Sequence, residues 1–203
     1  MSEVGAEQQG QNQVREDLAA NFMAGRHAAL NAYLVQHGAR LAALHWQPEP
    51  AQIPDTPLRF LLQYWQSLKP ADGIPPASAI SPLEMRPALG YILLIDVLEQ
   101  GWDGRFRLYG TKVAEMYGCD MTGRLLSEID NGNYISLFFR ALYRAAWLSR
   151  RPVYSHHEPP LRVSVRDWRR LVLPLGNAEG EVCRFLVGNV PGAWRPPASN
   201  PQG

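Results

Sequence analysis

The hydrophobic pattern changes its period near residue 91, and this change constrains the fold more than any other feature. Residues 91–98 form a near-continuous apolar run, which is typical of a strand that is covered on both faces. Residues 105–109 alternate between polar and apolar side chains, so they predict a second strand that pairs with the first as a hairpin. Residues 134–151 carry apolar side chains at helical spacing and end at Pro152, which predicts a long helix.

Three further strands are predicted after this helix, at residues 153–159, 165–175 and 181–190. Residues 177–180 read Asn-Ala-Glu-Gly, which predicts a hairpin turn between the last two strands. Two hairpins therefore flank a helical crossover. This order predicts an α+β fold in which a five-stranded, mainly antiparallel sheet carries its helices on one face.

The segments outside this core differ in composition. Residues 1–13 are polar and predict disorder, whereas the apolar residues of 14–44 fall on one stripe of a helix that Gly25 or Gly38 would break. Four prolines between residues 48 and 57 predict a linker, and residues 58–68 predict a second helix. The predicted organisation is a disordered segment at 1–13, a helix and Pro-rich linker at 14–57, a folded domain at 58–190 and a disordered Pro-rich tail at 191–203.

Composition excludes several classes of protein. The chain has 203 residues and a net charge of +1, which argues against a dedicated nucleic-acid binder. No apolar stretch approaches the ~20 residues that a membrane-spanning helix needs. The first residues lack the pattern of a secretory signal, so we expect a cytoplasmic protein. The two cysteines form no zinc pattern and are expected to be reduced thiols.

Short motifs in the predicted domain occur in a recognisable series. They are Phe106-Arg-Leu-Tyr-Gly-Thr111, Tyr117-Gly-Cys-Asp-Met-Thr-Gly123 and Arg170-Leu-Val-Leu-Pro-Leu175. Together with the element order, they resemble a bacterial family of small, often stand-alone PAS domains over about residues 60–190. The resemblance implies a sensory domain that acts through protein–protein interaction, ligand-dependent or constitutive, without catalysis. Two alternatives stay open: a small-molecule binding protein whose pocket is its function, and a small α+β enzyme.

The resemblance also implies a ligand pocket between the sheet and the helices. The residues whose positions could face it are Arg107, Tyr109, Tyr117, Tyr134, Phe138, Leu142, Tyr154 and Arg170. Arg107 differs from the others because a buried arginine needs an anionic partner. A ligand carboxylate or phosphate would serve, and Asp96 on the adjacent predicted strand is an equally good candidate.

No cofactor and no metal are expected from the sequence. Cys183 lies in a predicted strand, whereas photosensory PAS relatives carry their flavin-binding cysteine on a helix. The helix at 134–151 contains no histidine that could bind haem. His156 and His157 are adjacent on a strand, so they point to opposite faces and cannot readily share one metal ion. The arginines around Trp168 are interpreted as a charged strand edge rather than a nucleic-acid surface.

The apolar stripe of the N-terminal helix predicts a homodimer. One sheet cannot cover both this stripe and the helix at 58–68, and exposed apolar patches usually mark interfaces. PAS relatives often dimerise through a helix that leads into the domain. The predicted contact residues are Leu30, Leu34, Leu41 and Leu44. The alternative is that the helix folds back as a lid on its own domain, and the signalling partner is not identified by the sequence.

Overall fold

The computed structural model describes residues 3–129 and 134–196. Within this part of the chain, six strands form one antiparallel sheet in the order β1-β4-β5-β6-β2-β3. The strands are β1 Arg40–Trp46, β2 Ile92–Leu98, β3 Asp103–Tyr109, β4 Val153–Glu158, β5 Trp168–Gly176 and β6 Val182–Pro191. The helices are α1 Glu3–Met23, α2 His27–Gln36, α3 Thr56–Leu68, α4 Thr111–Tyr117 and α5 Tyr134–Ser149.

The five predicted strands and their two hairpins are present. Strand β2 pairs with β3, and β5 pairs with β6, with α5 as the crossover between the hairpins. The sheet also has a sixth strand, β1, which pairs with β4 from Arg40↔Glu158 to Trp46↔Val153. The sequence predicted helix at these residues, and this prediction is wrong. Leu41 and Leu44 have the three-residue spacing of a helix. Pairing with the open edge of β4, with a register shift between Leu41 and Ala43, nevertheless supplies the backbone hydrogen bonds of a strand.

Helices α4 and α5 pack on one face of the sheet, as predicted, whereas the N-terminal helix α3 lies on the other face. On one face, Tyr143 of α5 contacts Phe185 of β6 with ring centroids 5.4 Å apart. Gly188 lies three residues further along β6 and therefore faces the other way. A Cβ at Gly188 would lie 2.4 Å from Leu58 of α3, so α3 packs directly on the strand backbone there.

The N-terminal segment folds back on its own domain. Gly25 and Gly38 adopt φ of +62° and +73° and separate α1, α2 and β1. Helix α1 packs against α5, where Phe22 meets the Phe138 ring edge-on at 4.9 Å. Helix α1 begins at Glu3, whereas the composition predicted disorder up to residue 13.

The leucines predicted to form a dimer contact are mostly buried within their own chain. Leu30 and Leu34 are 0% exposed and Leu41 is 2% exposed, whereas Leu44 is partly buried. The interface assignment is therefore wrong for these three residues, because β1 and α5 already cover the stripe. Whether the protein dimerises through another surface stays a prediction.

The beginning of the C-terminal tail is also packed, although the prolines predicted disorder from residue 191. Trp194 pairs with Val165 as an isolated bridge. The Arg195 guanidinium donates hydrogen bonds to the carbonyl oxygens of Pro159, Pro160 and Val163 at 2.8–3.0 Å. These contacts hold the loop between β4 and β5, and residues 197–203 lie outside the described part.

Candidate functional site: an internal cavity

A cavity of about 310 Å³ lies between the sheet and the helices α4 and α5. Strands β2 to β6 form its floor, α5 forms one wall, and the loop between β4 and β5 closes another side. Aromatic rings make up much of the lining. They include Tyr109, Phe139, Tyr143 and Trp168. A concave, mainly apolar space with a few polar groups is the usual form of a small-molecule site.

Arg170 carries a positive charge into this cavity. Strand β5 points Arg170 toward α5, because alternate residues of a strand share a face. Its guanidinium lies 3.7 Å from the centre of the Phe139 ring. Its Nε donates to Asn189 Oδ1 over 3.4 Å, a long hydrogen bond. Among the residues that the structure describes, no carboxylate forms an ion pair with Arg170.

His157 is a buried polar group of the lining. It is 1% exposed and packs edge-on against Phe139, with ring centroids 5.1 Å apart. Neither imidazole nitrogen has a hydrogen-bond partner in the described parts of the chain. Burial, together with the nearby Arg170 and His156, lowers the pKa of His157 to about 3. The imidazole is therefore neutral at pH 7, with one N–H donor and one acceptor nitrogen unused.

Two phenols share the cavity with these groups. Burial raises the pKa of both Tyr109 and Tyr143, and the charge of Arg170 opposes this rise only in part. Both hydroxyl groups are therefore protonated at pH 7 and can donate hydrogen bonds. The lining includes three arginines, and none of its described residues is an aspartate or glutamate. The cavity is thus apolar in its walls and positive in its charge.

Three of the eight predicted pocket residues line this cavity, namely Tyr109, Tyr117 and Arg170. Arg107 does not: its side chain is 60% exposed on the other face of β3, and its guanidinium lies 3.3 Å from Asp96. Asp96, one of the two partners that the sequence suggested for Arg107, is therefore the partner in the structure. Asp96 also accepts from Arg184 Nε at 2.6 Å.

The other predicted pocket residues lie elsewhere. Phe138 and Leu142 are buried in α5, and Phe138 faces α1 rather than the cavity. Tyr154 of β4 is buried and its ring stacks with His45. The prediction that these three residues line the pocket is wrong. Helical and strand periodicity identify buried residues, but they do not show which buried residues face the cavity. The side chain of Tyr134 lies outside the described residues.

Sequence reasoning missed His157, Tyr143, Asn189 and the wall at 159–164. The alternation of His156 and His157 contained a usable signal, since the two side chains had to face opposite sides of the sheet. His156 indeed lies on the opposite face, with its Nε2 3.4 Å from Asp167. The wall residues gave no signal, because the loop reaches the cavity only through the tertiary fold.

The basic run around Trp168 is divided among different environments. Arg169 pairs with Asp55 at 2.8 Å and with Asp167, on the face that α3 covers. Arg166 is exposed, and Arg162 is exposed at the rim of the cavity. No group of three His, Cys, Asp or Glu side chains within the described residues is arranged to hold a metal ion.

A model of the PAS domain matches residues 54–188, which is more than half of the chain. The chain belongs to the PAS domain family. A search of curated proteins found no match. Among solved structures, an RNA-binding Light-Oxygen-Voltage receptor is similar at 13% identity and a TM-score of 0.38, over 93% of this chain and 60% of the receptor chain.

A cysteine-linked flavin does not fit this PAS cavity. Cys183 lies in β6, as the sequence predicted, and Cys119 is exposed. Neither is among the described residues that line the cavity.

No helix in the described chain is both long and apolar enough to cross a membrane.

Proposed function

We propose that this PAS domain is a sensor that binds a small molecule in its internal cavity and passes the bound state to a protein partner, without catalysing a reaction. The observation that carries the proposal is His157, a buried imidazole that lines a cavity and whose two nitrogens have no hydrogen-bond partner among the described residues. Leaving such groups unpaired costs free energy, about 1–3 kcal/mol each. A ligand that pairs them would recover this cost and stabilise the fold.

A contiguous set of contacts leads from the cavity to the N-terminal helix. Arg140 of α5 lines the cavity, and its Nε donates to the Trp102 carbonyl at 2.7 Å. The Trp102 ring in turn lies 4.4 Å from the Arg15 guanidinium of α1. A ligand that moves α5 would therefore change how α1 docks. Helix α1 precedes the matched domain, so it is a surface through which binding can be read by a partner.

The binding step is tested by thermal unfolding of the full chain with a panel of small acids, bases and neutral metabolites. A ligand at a hundred times its Kd stabilises a protein by about 2.7 kcal/mol, which corresponds to a rise in Tm of roughly 5–10 °C for a chain of this size. Ser136→Phe places a ring into the cavity from α5 and should abolish the shift. Ser149→Phe adds the same ring at the end of α5 and should leave the shift intact.

The signalling step is tested by amide hydrogen exchange of α1 and α2 with the ligand present and absent. We expect bound ligand to change exchange in these helices. A panel in which no compound binds would contradict the proposal at its first step. Binding without any change in α1 and α2 would favour a binding protein whose pocket is its whole function. Conversion of the bound compound to a product would favour the enzyme alternative.

A further inference from the structure

The cavity contains an arginine, Arg170, that forms no ion pair with any carboxylate of residues 3–129 and 134–196. Arg169, the preceding residue, points to the opposite face and is paired with Asp55 at 2.8 Å. Arg170 instead lies against Phe139, and its charge opposes the rise in the pKa of the Tyr109 and Tyr143 phenols that burial causes. A guanidinium in such an apolar setting is stabilised by an anion that accepts two of its N–H groups.

The other two arginines of the lining are engaged or exposed. Arg140 turns its Nε outward to the Trp102 carbonyl, at 2.7 Å. Arg162 is exposed on the loop between β4 and β5. Arg170 is therefore the cation that lies among the aromatic rings of the cavity.

His157 adds a second, uncharged contact for the same ligand. It lines the cavity from β4, on the strand next to Arg170, and the neutral ring has one N–H to donate. The charged guanidinium and the imidazole N–H thus present donors to one small space. A carboxylate, which only accepts hydrogen bonds, matches both.

We propose that the cavity binds a small aromatic monocarboxylate, with its carboxylate on Arg170 and His157 and its ring among Tyr109, Phe139 and Tyr143. This inference rests on the proposed function and specifies the ligand class of the same site. The volume of about 310 Å³ lies at the small end of the usual range for ligand sites, which suits a single ring with a short acidic substituent.

The charge balance favours a carboxylate over a phosphate ester. One interior guanidinium neutralises one negative charge, whereas a phosphate carries nearly two at pH 7. The second charge would face the apolar rings and a neutral imidazole, and an unpaired buried charge is costly. A carboxylate leaves no such excess.

The experiment uses the full chain at pH 7.5 and isothermal titration with ligands that share one ring and differ in charge. The probes are benzoate, 4-hydroxybenzoate and phenylacetate as carboxylates, benzamide as the neutral isostere, benzylamine as the cation, and phenyl phosphate. We expect at least one of the carboxylates to bind with a Kd of about 1 mM or tighter. It should bind at least about tenfold more tightly than the amide or the amine.

Variants locate the carboxylate on Arg170. Arg170→Met keeps the length and apolar stem of the side chain and should weaken carboxylate binding by about 10–100-fold. The matched control is Arg107→Met, which removes an exposed arginine from β3 outside the cavity and should change binding less than about twofold. Circular dichroism checks that each variant folds. If Arg170→Met does not fold, the comparison of benzoate with benzamide in the natural chain still decides the charge preference.

Several results would overturn the assignment. One is equal binding of carboxylate, amide and amine, and another is unchanged carboxylate binding in a folded Arg170→Met variant. Tighter binding of phenyl phosphate than of every carboxylate would reject the charge argument. If no probe binds but the metabolite panel yields a ligand of another chemistry, this inference fails while the proposed function stands. If neither set contains a ligand, both fail.

Discussion

His157 makes the stability of the fold depend on pH in the weakly acidic range. Burial is the main cause that lowers its pKa to about 3 in the folded chain, and Arg170 and His156 add to it. In the unfolded chain, a histidine has a pKa of about 6.5. Between these two values, the unfolded chain binds a proton that the folded chain does not. Stability is therefore unaffected by this group above pH 6.5 and falls as the pH drops below it.

The size of the effect follows from the unfolded pKa alone, so long as the folded value lies well below 5. Each pH unit below the unfolded pKa costs about 1.4 kcal/mol. Lowering the pH from 7 to 5 therefore removes about 2 kcal/mol of folding free energy through His157. That is a large part of the 5–15 kcal/mol that typically separates folded from unfolded states.

Urea unfolding at pH 7, 6 and 5 measures this loss in three proteins. His157→Phe keeps a ring beside Phe139 but cannot be protonated, so it should lose about 2 kcal/mol less than the natural chain between pH 7 and pH 5. His27→Gln removes an exposed histidine at the start of α2 and should follow the natural chain. The reasoning fails if His157→Phe and the natural chain lose the same free energy to within about 0.5 kcal/mol.

Three further predictions concern the packing of the chain and its cofactor content. Gly188→Ala places a Cβ 2.4 Å from Leu58 and should lower the free energy of unfolding in urea by about 1–3 kcal/mol. Adding Leu58→Val should recover part of that loss. If the effects of the two substitutions are strictly additive, this contact is not the cause. Removal of residues 1–46 exposes Phe138 and the edge of β4, so light scattering should show that the truncated chain aggregates. If the full chain is a dimer and the truncated chain is a soluble monomer, the N-terminal leucines would again be the expected interface. Purified protein should show no visible absorption band after gel filtration, and such a band would indicate a bound chromophore, with His157 the first ligand to test.

The sequence by itself determined the order of the core elements. Strands β2 to β6 and the crossover α5 follow from local hydrophobic periods, which depend only on neighbouring residues. The same local geometry placed Cys183 in a strand and turned His156 and His157 to opposite faces. Alternation likewise separated Arg107 from Phe106, although it could not tell which of the two faces lines the cavity.

Only the tertiary structure decided the N-terminal segment and the site. Residues 40–46 have leucines at a helical spacing, and the unpaired edge of β4 selected a strand instead. The same choice buried Leu41 and removed the predicted dimer surface. The cavity draws His157, Arg170 and Asn189 from three strands, and its wall from a loop with no periodic pattern. Such a site depends on which buried side chains leave space between them, and that is set by the packing of distant segments rather than by any local pattern.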